Sequence, residues 1–154
     1  METIRTIVEN HNQFFGDSCV PTVVEVILIL EDKVGHNYYD LQINSKGDSE
    51  GSYSDFDNEV LFGLKFKSEF GFERGSDFPI QLLFNRIDEL LSFGRYVVIS
   101  LEAVGGTHNY IIYFKNEKND YTAISKHAGI SIIDDVKVRV REMQGTEILT
   151  YEKA

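Results

Sequence analysis

The sequence predicts an α+β domain in which a helical part packs on an antiparallel sheet, with a cleft between them. Three observations carry this. Residues Cys19 to Leu30 form a nearly unbroken apolar run, Ile80 to Leu91 repeat apolar residues at helical spacing, and from Tyr96 onward short β-rich segments alternate with turns. The first two read as helices, one apolar all round and so buried on all sides, the other amphipathic. The third reads as an antiparallel meander.

Each element has its own signals. Before the first run, Asp17 or Ser18 can cap a helix and Pro21 suits its first turn, which outweighs the strand preference of Val20, Val23, Val24 and Val26. Residues 44–58 are rich in Gly, Ser, Asn and Asp and predict turn and loop. From Phe56 to Phe78, phenylalanines mix with glycines and charges at no clean period, which predicts an irregular cover over one face. Asp77 can cap the next helix, Pro79 fits its first turn and Gly94 ends it. Tyr96–Leu101, His108–Phe114 and Tyr121–Ser125 predict three strands, with Gly105-Gly106 and Asn116–Asp120 as turns. Residues 131–143 fit both periods. Val136, Val138 and Val140 alternate, but Ser131 with Asp134 resembles a capping box, and Ile133, Val136, Val140 and Met143 share a helical face, so the reading leans to helix. Ile148–Tyr151 predicts a last short strand.

A chain of 154 residues that is 42% hydrophobic supports one domain with a full core, spanning 1–154. The net charge of -10 argues against binding along a nucleic-acid backbone, which needs clustered Lys and Arg. No apolar stretch reaches the roughly 18 residues of a membrane span. The N-terminus through Cys19 has no apolar signal core, so a cytoplasmic protein, or one exported without a classical signal peptide, is expected. The lone cysteine cannot form an internal disulfide, and no Cys/His cluster points to zinc. No cofactor or metal is expected.

That cysteine, Cys19, falls at the start of the apolar helix, where free N–H groups and the helix dipole favour negative charge, the condition for a nucleophilic thiolate. Gln13 precedes it by six residues, and His108 opens a strand late in the chain after Gly105-Gly106. The remaining histidines, His11, His36 and His127, read as surface or loop residues, with lining the cleft as the alternative for His127. Asp134-Asp135 reads as a helix N-terminus, and Asp55, Asp57 and Glu59 as a solvated loop.

Gln13 through Thr22, then Gly105-Gly106-Thr107-His108-Asn109-Tyr110, then Tyr121 to Lys126, resemble in order and spacing the papain-like cysteine peptidases, closest to the compact bacterial C39-like branch. The resemblance implies Cys19 as nucleophile, His108 as its base and then acid, and Gln13 as an oxyanion donor beside the Cys19 N–H. The usual Gly after the nucleophile is Val20 here, and the position of the imidazole-orienting acid is held by Ser125, while Asp120 stands at the far end of that strand. The implied activity is hydrolysis of a peptide or other amide bond through an acyl-enzyme, on a peptide or protein substrate. Acyl transfer and deamidation use the same apparatus, and a domain that has lost turnover and only binds is the other reading.

Overall fold

The computed structural model describes residues 3–16, 18–45, 52–103, 106–126 and 129–154. Asp17, Gly105 and His127, each assigned a part above, lie outside the described residues, as do residues 46–51 of the 44–58 loop. The chain is α+β, with a seven-stranded sheet in which every pairing is antiparallel.

In chain order the helices are α1 (Ile4–Asn10), α2 (Cys19–Leu30), α3 (Asp40–Ser45), α4 (Tyr53–Phe56), α5 (Ile80–Ser92) and α6 (Val136–Met143). The strands are β1 (Val60–Leu61), β2 (Leu64–Glu69), β3 (Val97–Ala103), β4 (Gly106–Lys115), β5 (Tyr121–Lys126), β6 (Ile130–Ile133) and β7 (Ile148–Lys153). They lie in the order β1-β2-β7-β3-β4-β5-β6, so the last strand inserts between β2 and β3 and joins β1 and β2 to the meander.

Helices cover both faces rather than one. On one face α1, α2 and Tyr53 of α4 pack on Phe66, Val98, Ile111, Ile124 and Leu149. On the other, α5 and α6 pack on Val97, Ile99, Tyr110, Ile112, Tyr121 and Ala123. This three-layer arrangement explains why β3, β4 and β5 read as continuous apolar runs without alternation, since both faces of a central strand are buried. It also explains α2. That helix is enclosed by α1, α3 and the sheet, and nearly all of its residues are buried, so β-branched residues are accepted in it for the sake of burial. Ile27 and Leu28 are fully buried, each worth about 1.5–3 kcal/mol.

Several expectations are corrected. The 56–78 stretch is not irregular throughout, because β1 and β2 form there and β2 pairs with β7 over its whole length. The 44–58 loop contains α4, whose first turn is closed by a Ser52/Asp55 capping box. Residues 131–143 are strand and then helix. Ser131 sits in β6 opposite Ser125, and Asp135, not Ser131, precedes α6. The residue preceding α5 is Pro79, with no side-chain cap from Asp77. Among the described residues no helix is long and apolar enough to cross a membrane.

Candidate functional site

Cys19 is the first residue of α2 and is partly exposed, with Ser18 at the cap position. Ser18 does not cap the helix with its side chain. Its hydroxyl donates to the Phe15 carbonyl (2.9 Å) and to Gln42 Oε1 (3.0 Å). Gln42 Oε1 also accepts from the Phe14 N–H at 2.7 Å. Gln42 Nε2 donates to the Asn12 carbonyl at 2.9 Å and to Glu25 Oε1 at 2.6 Å.

Glu25 is the one charged residue on α2 and is fully buried. Besides the Gln42 side chain it accepts from the Gln42 N–H (3.2 Å) and pairs with His11 Nε2 (2.8 Å). A buried carboxylate is tolerated only when partnered in this way. The network ties the 11–18 loop to α2 and α3 and so fixes where Cys19 begins its helix. His11, expected at the surface, is instead 1% exposed and stacked on Tyr39, because its ring is needed by Glu25.

The sulfur of Cys19 meets an amide. Asn109 Nδ2 donates to Cys19 Sγ at 3.2 Å, and Asn109 Oδ1 accepts from the Tyr53 hydroxyl at 2.6 Å. The Tyr53 hydroxyl can give its proton only to an acceptor, which fixes the amide with its oxygen toward Tyr53 and its N–H toward the sulfur. Tyr53 is held well above the usual phenol range, chiefly by burial and further by the nearby Glu147 and Cys19. Glu147 stands above the usual carboxylate range, because burial outweighs the opposing field of Arg74. Ser100 pairs across the ladder with Asn109 and, with Phe70, Phe72, Arg74 and Glu147, lines a depression beside the site. Phe14 and Phe15, in the loop before Cys19, and Phe72, in the lining of the depression, are exposed.

The expected sulfur–imidazole pair does not form this way. Asn109 and Ile111 face α2, and strand alternation sends the neighbouring His108 to the opposite face with Tyr110 and Ile112. There His108 lines a cleft with Ser125, Tyr110, Ser131 and Arg139. His108 and Ser125 therefore line one cleft, across the sheet from Cys19. Gln13 also turns away from an oxyanion role, since its Nε2 donates to the carbonyls of Phe15 (3.0 Å) and Gly16 (3.5 Å) in its own loop. Asp120, at the start of β5, accepts from the N–H groups of Tyr121 and Lys137 and belongs to the α6 end of the molecule.

The site is thus a thiol at a helix N-terminus that receives an N–H, with no proton acceptor supplied by that partner. A carboxamide offers two donors and one carbonyl oxygen and does not titrate near neutral pH, so it can hold a thiol but cannot take its proton. Sequence reading passed over Asn109, Tyr53, Glu147 and the Glu25–Gln42 pair. Glu25, a lone charge within an apolar helix, was the one visible signal among them. A scan against protein-family models finds no match to this chain, and a search of the curated proteins finds none either.

Proposed function

We propose that this chain is a papain-like domain that recognises a peptide segment beside Cys19 without hydrolysing it. One observation carries the reading: the hydrogen-bond partner of the sulfur is the Asn109 amide, one residue along from the histidine that the resemblance would use. Without a base the thiol is not activated, and without an acid the leaving amine is not protonated. The binding half of the reading is supported by the surroundings. Phe14, Phe15 and Phe72 offer apolar surface to side chains, while Ser100 and Glu147 offer polar partners to a peptide backbone.

Thiol-dependent hydrolysis is the second reading. It is favoured by a partly exposed sulfur that accepts an N–H at the start of a helix. Alkylation separates the two. Iodoacetamide labelling of Cys19 at neutral pH, followed by intact-mass spectrometry, is expected to proceed at the same slow rate in the wild type and in His108→Ala. Asn109→His, which puts an imidazole against the sulfur, is expected to label faster than either. A marked slowing in His108→Ala would restore the hydrolase reading. Selection from a peptide library should then return ligands whose binding survives Cys19→Ala, since recognition does not need the thiol.

A further inference from the structure

The cleft on the opposite face has the features of a second binding site. It encloses about 280 Å³ between β4, β5, β6 and α6. Tyr110 and Ser125 are each only 3% exposed, yet neither hydroxyl has a hydrogen-bond partner among the described residues, and both line this cleft. Both hydroxyls open toward one cavity, where each is available to a ligand as donor or acceptor. Ser131, opposite Ser125 in the ladder, adds a third hydroxyl. Arg139 supplies the positive charge from α6. Asp135 accepts from its Nε at 2.8 Å, so Asp135 fixes the guanidinium while the terminal nitrogens stay available. Ala103 and Ile133 supply an apolar part of the wall, and the His108 imidazole lines it as well.

Hydroxyls and a guanidinium together donate to a planar, acceptor-rich group. The charge balance narrows the choice. Arg139 already shares its charge with Asp135, and Glu102 and Glu142 border it on its other side, so with only the His108 imidazole beside it the cleft meets one negative charge better than two. We propose that this cleft binds a small monocarboxylate, its oxygens on Arg139 and the Tyr110 and Ser125 hydroxyls and its apolar body against Ala103 and Ile133.

The test is a titration followed by ¹⁵N–¹H correlation spectra of the full chain. The probes are benzoate, its neutral isostere benzamide, and inorganic phosphate at matched ionic strength. Benzoate at millimolar concentration is expected to shift the amides of Ser125, Ser131 and Ile133 as one saturating process. Benzamide and phosphate are expected to bind about tenfold more weakly or less. Arg139→Gln and Tyr110→Phe should each weaken benzoate by about tenfold or more, and Cys19→Ser should leave it unchanged. Absence of saturating shifts, equal response to benzamide or phosphate, or undiminished binding in Tyr110→Phe would overturn the proposal. Tyr110→Phe removes only a hydroxyl, so it decides the matter even if Arg139→Gln disturbs the α6 end.

Discussion

Glu147 and Glu25 are two carboxylates treated in opposite ways by the same fold. Glu147 is half-buried near Tyr53, and its raised pKa reports that ionising it in place is unfavourable. A group whose folded value is raised stabilises the fold below its unfolded value and loses that contribution as pH climbs through the folded one. Glu147→Gln is therefore expected to melt higher than the wild type at pH 7. The gap should close as pH falls below the ordinary Glu value of about 4.3. Scanning calorimetry of both proteins across that range checks it, and a gap that persists in acid would mean that shape rather than charge separates them. Glu25 is the converse. It accepts from three donors, and truncation removes the acceptor of His11 Nε2, of the Gln42 N–H and of one Gln42 Nε2 proton, the other staying on the Asn12 carbonyl. Leaving buried donors without their acceptor costs about 1–3 kcal/mol for each group. Glu25→Leu should lose that much in urea unfolding although the substituted residue suits an apolar helix. A loss under about 1 kcal/mol, the worth of an ordinary exposed pair, would show that the network contributes little.

At the level of elements, the sharpest local constraint is the turn from α6 into β7. Gln144 ends α6 in the left-handed region (φ 61), and Gly145 follows at φ 127 with its N–H bonded to the Val140 carbonyl at 3.2 Å. A Cβ on Gly145 would fall 2.8 Å from Phe78 Cε2 and closer still to the near edge of that ring. The Phe78 ring is buried against the α5/α6 core, so it has little room to retreat. Gly145→Ala combines a backbone conformation that alanine resists with this collision, and should cost at least about 2 kcal/mol. At about 2–4 °C per kcal/mol for a chain of this length, that is a fall in Tm of at least about 4 °C, read by thermal melting. Gly63 also has positive φ (84) but faces open space, so Gly63→Ala isolates the backbone contribution and should fall less.

Element types were largely legible, and element faces were not. α2 announced itself by length, by Pro21 and by an apolar surface all round, and its range agrees with the reading. The meander from Tyr96 to Ser125 was equally clear. What could not be read was which side of β4 meets α2. Tyr110-Ile111-Ile112 is apolar on both parities because helices cover both faces of the sheet, so no alternation marks the register. A shift of one residue exchanges His108 for Asn109 beside the sulfur. β2 was hidden for a related reason. Leu64-Lys65-Phe66-Lys67 does alternate, but the run is short and set among Phe62, Gly63, Phe70 and Gly71, and its partner β7 lies about eighty residues away, so the local signal is weak.

Across the whole molecule, the absence of Trp leaves tyrosine to fill large buried volumes, and that choice has a consequence at high pH. Tyr53, Tyr121 and Tyr151 are almost completely buried and each donates its hydroxyl inside the protein: Tyr53 to Asn109, Tyr121 to the Phe84 carbonyl and Asp88, Tyr151 to Glu31. Burial is the largest cause in all three of a pKa raised above the ordinary phenol value, reinforced at Tyr121 by the Asp88 bond and at Tyr151 by the Glu31 bond. They sit in different parts of the core, two on the α2 face and one under α5, so no single local rearrangement relieves them all. Raised values stabilise the fold fully below the unfolded phenol value of about 10, and that contribution is lost as pH rises above it. Each such tyrosine removes at most about 1.4 kcal/mol per pH unit, so the three together should give a slope approaching 4 kcal/mol per unit above pH 10. Denaturant midpoints measured from pH 9 upward should therefore collapse steeply. Tyr121→Phe should cut that slope by about a third while leaving the profile near neutrality flat. A shallow profile, or a slope unchanged in Tyr121→Phe, would mean that these phenols ionise within the folded chain, and that the layers around the sheet are looser than their burial indicates.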